Sequence, residues 1–169
     1  MAVKSSMLTL HADLLAARYP DCKIIYLVRD PLQAIPSGMS LLTGVLERSY
    51  DMFNSTAPDT RARYLENLYL ASRHLYRSFY ELQQGALDPE RYMVVPYPSL
   101  MRDFEATMER VVDFAGLSVG DDFRERVRHQ ARAQREHKSA HSYSLEKFGL
   151  DEARIRQDLG FVYEAYDLE

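Results

Sequence analysis

The stretch Lys23–Leu42, KIIYLVRDPLQAIPSGMSLL, decides how the chain is read. Ile24-Ile25-Tyr26-Leu27-Val28 is a short, apolar, β-branched run, which predicts a buried strand. Arg29-Asp30-Pro31 follows at once. Proline cannot extend a central strand but suits a turn or the first helical position. Met39, Leu41, Leu42, Val45 and Leu46 then give the next segment the apolar face of a helix. Arg29 therefore leaves the end of a strand, and Ser37 sits in the first turns of a helix. Pro36 carries that placement, because proline is tolerated in an opening turn and harmful further in, so the helix is expected to be only just starting there. An α/β fold builds anion sites at such a junction, where free backbone N–H groups and the helix dipole point outward. Arg29 adds a planar fork for two oxygens and Ser37 a neutral donor. A plain alternative stays open from the residues alone: Arg29 and Asp30 form a strand-end ion pair, and Ser37 only caps the helix.

Upstream, MAVKS (residues 1–5) reads as a short strand, and Leu8, Leu10, Leu14 and Leu15 recur at helical spacing until Tyr19-Pro20-Asp21. Strand, helix, strand, helix in that order predicts a βαβ unit with a parallel sheet. Downstream, the pattern lapses from Tyr50 to Asp59, a loop by composition. A long helix is predicted from about 60 to 87, with an apolar stripe through Tyr64, Leu65, Leu68, Leu75, Tyr76, Phe79 and Leu82. The stripe reads as core, with its tyrosines as candidates for lining a substrate pocket. Tyr92-Met93-Val94-Val95 predicts a second buried strand, closed by Pro96-Tyr97-Pro98. A helix at about 104–114 stops at Gly116, and a last amphipathic helix covers 151–166.

The 169 residues suffice for one domain, 1–169, with a real core. A net charge of −4 without a long basic tract argues against a nucleic-acid partner, though not against a local anion site. Cys22 is the single cysteine, so no intrachain disulfide can form, which fits a reducing compartment. No apolar run is long enough to span a bilayer and the N-terminus lacks a signal-peptide core, so no membrane partner is expected and a cytoplasmic location is the default. No CxxC or HExxH spacing supports a metal site.

KIIYLVRDPLQAIPS resembles the 3′-phosphate-binding segment of the sulfotransferases that use 3′-phosphoadenosine 5′-phosphosulfate. In that family a strand ends in Arg-Asp-Pro, and a serine eight residues after the arginine shares the 3′-phosphate; Arg29 and Ser37 have that spacing. The resemblance implies several further roles. Lys4 takes the place of a lysine near the transferring sulfuryl group. Ser6 stands where some relatives carry a catalytic histidine and others proline, a departure that leaves the general base unassigned. Tyr97 matches a tyrosine that packs near the adenine, with Pro98 and Ser99 replacing the two acids that follow it in relatives. Val111 to Leu117 resembles the family's Asp-Phe-Leu-Gly-Leu helix ending.

The arginine-rich run 123–138 reads by itself as a solvated helix face, partly neutralised by Glu125 and Glu136. By resemblance, Arg135, His137 and Lys138 are counterparts of a basic loop that closes over the nucleotide. The family's opening strand and Gly-rich or Pro-Arg-Ser-Gly-Thr-like loop, which cradle the 5′-phosphosulfate, have no counterpart here; GVLERSY (44–50) and GLSVGDD (116–122) lack the small residues and the strand context.

The expectation is thus a partial P-loop-like three-layer α/β fold: a parallel sheet flanked by helices, without its first strand and phosphate loop. Its activity would be sulfuryl transfer to a hydroxyl or amine of a small-molecule or carbohydrate acceptor, releasing adenosine 3′,5′-bisphosphate. The 5′ end of the donor would be uncradled and an exposed sheet edge would favour self-association. A non-catalytic nucleotide- or partner-binding module is the alternative. A small kinase is disfavoured by the absence of GxxxxGKS/T.

Overall fold

The computed structural model describes residues 2–136 and 144–168. After a 3-10 turn, Met7–His11, the order is α1 (Ala12–Arg18), β1 (Ile24–Val28), α2 (Pro31–Tyr50), α3 (Met52–Ser55), α4 (Pro58–Gln83), β2 (Tyr92–Pro96), α5 (Tyr97–Arg102), α6 (Phe104–Phe114), α7 (Asp121–Glu136) and α8 (Glu152–Tyr166). The class is α/β, mostly helical, around a two-stranded parallel sheet whose register runs from Ile24↔Tyr92 to Val28↔Pro96. Parallel strands need a crossover connection, here α2 to α4.

The sheet divides its side chains by the two-residue period of a strand. Ile24, Tyr26 and Val94 turn to one side, where α4 lies across both strands. Phe79 of α4 is 1% exposed and stacks on Tyr26, with ring centroids 3.7 Å apart at 16°. It meets Tyr92 edge-on at 5.9 Å. On the other side Val95 is buried; α5 and α6 both contact β2. Ile25 and Leu27, register partners of Met93 and Val95, remain 44% and 49% exposed. β1 is therefore covered on one face only, where its continuous apolar run predicted burial on both.

A larger core joins Val28, Ile35 and Met39 to Leu65 and Tyr69 of α4 and to Ile155, Leu159 and Val162 of α8. The α4–α8 contact is pinned by charge as well. Arg154 forks onto Glu66 at 2.9 and 2.5 Å and lies over the Tyr69 ring at 4.4 Å. Asp158 accepts from the Tyr69 hydroxyl at 2.7 Å and from Arg73 at 3.0 Å. The Tyr69 bond, with Arg73, holds the Asp158 carboxyl below its usual range. Arg91, just before β2, collects the carbonyl oxygens of Ala16, Tyr19 and Cys22, and so ties the end of α1 to the sheet.

Three local expectations are corrected. Residues 2–5 form no strand and are exposed; with one β-branched residue and no partner in the sheet, the segment has nothing to stabilise it as one. The helix after β1 begins at Pro31, five residues before Pro36. Pro31 supplies the fixed φ of a first helical position, Asp30 caps it, and Pro36 costs the second turn one hydrogen bond while its ring is buried. The segment 50–59 is not a plain loop: Asp51 takes a left-handed conformation, α3 follows, and Met52 enters the core.

Candidate functional site

The parallel register sets the C-terminal ends of β1 and β2 side by side, so Arg29 and Tyr97 are each the first residue past a paired strand. Their side chains meet: the Arg29 guanidinium carbon lies 4.9 Å from the Tyr97 ring centroid. Arg29 Nε and Nη2 both donate to Gln33 Oε1, at 3.3 and 3.1 Å. Gln33 and Ser37 are four residues apart on α2 and so lie one turn apart on one face. Arg29, Gln33 and Ser37 thus form a row leading from the strand end along the helix.

Asp30 does not pair with Arg29. Among the described residues, Arg29 has no carboxylate within ion-pairing distance. The Asp30 Oδ1 atom accepts instead from the Leu32 N–H at 2.9 Å and from the Tyr163 hydroxyl of α8 at 2.7 Å. Tyr76 of α4 donates its hydroxyl to the Arg29 carbonyl at 2.7 Å. Burial pushes the Tyr76 hydroxyl well above its usual pKa. For Tyr163, burial leads and the bond to Asp30 adds to the rise. Both phenols remain neutral donors across the ordinary pH range.

The expected ring of free N–H groups at this helix end is corrected by the same geometry. Pro31 has no N–H, Leu32 is taken by the Asp30 side chain, and Gln33 and Ala34 donate to the Asp30 carbonyl at 3.0 and 2.8 Å. Asp30 consumes the donors, so an anion here must be held by side chains.

The other predicted residues are more dispersed. Lys4 lies in the exposed non-strand segment before the first turn. Arg135 is exposed, near the end of α7, and approaches Glu105 of α6 at 4.0 Å. Its neighbour Gln134 reaches the Leu100 carbonyl of α5 at 3.4 Å, three residues beyond Tyr97. His137 and Lys138 lie outside the described residues. Of the two tyrosines in the predicted stripe, Tyr76 spends its hydroxyl on the Arg29 carbonyl, and Tyr64 packs, partly buried, against the larger core. A groove of about 400 Å³ opens between α6 and α7 over Met108, Val112 and Val127. Its rim mixes Glu105, Glu109 and Asp113 with Arg124 and Arg128, a poor match for a polyanion, and none of the predicted site residues lines it.

Gln33 was open to discovery from sequence, since it follows Arg29 at helical spacing. Tyr76 and Tyr163 were not: they lie 47 and 133 residues from their partners.

The model of the sulfotransferase family matches residues 1–121, and the chain belongs to that family. Over 100 residues it is 29% identical to the 3-alpha-hydroxysteroid sulfotransferase of Cavia porcellus, a match covering 57% of this chain and 32% of that protein. The crystal structure of sulfotransferase STF9 from Mycobacterium avium superposes with a TM-score of 0.77 at 18% identity, over 96% of this chain and 40% of that one. The chain therefore spans about a third of the first relative's length and two fifths of the second's. No helix among the described residues is long and apolar enough to cross a membrane.

Proposed function

We propose that this chain carries the 3′-phosphate and adenine half of a binding site for 3′-phosphoadenosine 5′-phosphosulfate, within a sulfotransferase acting on an acceptor hydroxyl or amine. One observation carries the reading: the Arg29 fork is held at the strand end by a neutral amide and an aromatic face, with its ionic valence unspent among the described residues. A phosphate oxygen can take the place of Gln33 Oε1 on the same two donors, and a charge-assisted bond is the stronger. Ser37 would add its hydroxyl from one turn further on. The Tyr97 ring would stack against the adenine, as aromatic side chains at nucleotide sites do. The bound donor would supply an activated sulfuryl group; Arg29 and Ser37 would fix it by the phosphate remote from the reacting end.

The proposal extends to Lys4 as a cation near the transferring group, and to Arg135, His137 and Lys138 as further cations around the nucleotide. The partial three-layer P-loop-like fold belongs to it as well. So does a reducing, cytoplasmic setting.

Calorimetry with adenosine 3′,5′-bisphosphate tests the assignment. Arg29→Ala is expected to lose ~1.5–3 kcal/mol, roughly ten- to over a hundred-fold in affinity. Ser37→Ala is expected to lose only ~0.5–1.5 kcal/mol, since its hydroxyl is neutral. Equal affinities for folded wild type and Arg29→Ala would end the proposal.

A second reading, a nucleotide-binding module without chemistry of its own, is favoured by the consumed N–H groups at the α2 start. Under either reading, exposed Ile25 and Leu27 on β1 lead us to expect self-association. Light scattering over a concentration series should show mass rising above that of the 19.6 kDa chain; a constant monomer mass would refute this.

A further inference from the structure

Arg29 and Asp30 are adjacent, oppositely charged, and able to neutralise one another, yet they are held apart. Asp30 faces Tyr163 and the α2 start; Arg29 faces Gln33 and Tyr97. Tyr163 comes from α8, which is built to deliver it. The first half of α8 is fixed to α4 through Arg154 and Asp158. At Leu159 the helix departs from helical geometry, with φ −125° and ψ 21°, and Gly160 follows. Beyond that kink Val162 is fully buried in the core, and Tyr163 reaches Asp30.

We propose that Tyr163 is a positioning residue for the anion site, holding the Asp30 carboxylate away from Arg29 so that the guanidinium is available to phosphate. The inference rests on the nucleotide reading above and adds to it the device that keeps Arg29 from being neutralised by its neighbour. Without the Tyr163 hydroxyl, Asp30 Oδ1 retains only the Leu32 N–H, and the carboxylate is free to swing to Arg29. It would then compete with a phosphate for the same N–H donors and repel its charge.

The test is the ratio of affinities for adenosine 3′,5′-bisphosphate and adenosine 5′-monophosphate, which isolates the 3′-phosphate contribution. Tyr163→Phe is expected to lower that ratio roughly five- to tenfold, in keeping with one lost hydrogen bond and a new competitor. Affinity for the monophosphate should stay within about twofold, since nothing at the adenine changes. The double variant Tyr163→Phe/Asp30→Asn should recover the wild-type ratio, because the amide cannot form an ion pair with Arg29 and asparagine still caps a helix. A merely structural role for Tyr163 predicts no such rescue. An unchanged ratio in Tyr163→Phe, or no recovery in the double variant, would overturn the proposal. Should Tyr163→Phe not fold, Asp30→Asn alone decides: it is expected to keep or raise the ratio, and a fall would contradict the competing role given to Asp30. A wild-type ratio of one would instead mean that the nucleotide reading itself has failed.

Discussion

Supplied with labelled 3′-phosphoadenosine 5′-phosphosulfate and a panel of phenols, alcohols and amines, the 169-residue chain is expected to transfer no sulfuryl group above background. The reason lies in where donors are available. Transfer requires preorganised donors at the bridging and sulfuryl oxygens, and removing one such donor can cost ~10²–10³ in rate. After β1, the N–H groups of Leu32, Gln33 and Ala34 are engaged by Asp30, and Pro31 has none. After β2, α5 begins at once and carries Pro98 in its first turn. GVLERSY and GLSVGDD offer no substitute: Gly44–Tyr50 is the end of α2, and Gly116–Asp122 links α6 to the first residues of α7, so neither follows a strand. Among the described residues, the first-turn N–H groups of α2 are thus spent, and α5 lacks the one that Pro98 cannot supply. Clear turnover would mean that other groups of the chain hold the 5′ end, and would rule out the module without chemistry.

Phe79→Ala is expected to destabilise the fold by ~3–5 kcal/mol. A domain of this size has only ~5–15 kcal/mol to lose, so this single change removes a large part of it. Phe79 is almost wholly buried and touches Tyr26 of β1 and Tyr92 of β2 at once. Its removal would leave a cavity under the only two strands among the described residues, and the Tyr26 and Tyr92 rings would each lose an aromatic contact. Leu41, 72% exposed on α2, is the control; Leu41→Ala should shift stability by no more than ~0.5 kcal/mol. Urea midpoints at unchanged slope would measure both. A Phe79→Ala midpoint close to that of Leu41→Ala would mean that α4 does not hold the sheet together.

Much of this was legible in the sequence because the signals were local. Ile24–Val28 and Tyr92–Val95 carry dense β-branched or apolar runs, and both are strands within one residue of the expected bounds. The helix expected at about 104–114 is Phe104–Phe114, and the glycine expected to stop it, Gly116, takes a positive φ. Misreadings arose where a local rule met tertiary structure. Pro36 does not open its helix, because Pro31 and Asp30 had already done so. Val3 gives Met1–Ser5 the look of a strand, but a strand needs a neighbour. The pairing of Arg29 with Tyr97 was implied once both strands were parallel neighbours. The turning of Asp30 toward Tyr163 was not, since it depends on a kink at Leu159 that no residue pattern announces.

The central claim is that Arg29 is a phosphate ligand at the end of β1, and a crystal structure of the chain with adenosine 3′,5′-bisphosphate tests it most directly. The account predicts the 3′-phosphate on the Arg29 fork at ~2.7–2.9 Å, displacing Gln33 Oε1, with Ser37 Oγ as a second donor and the adenine against the Tyr97 ring. A nucleotide bound along the exposed arginines of α7 instead, with Arg29 still on Gln33, would contradict it.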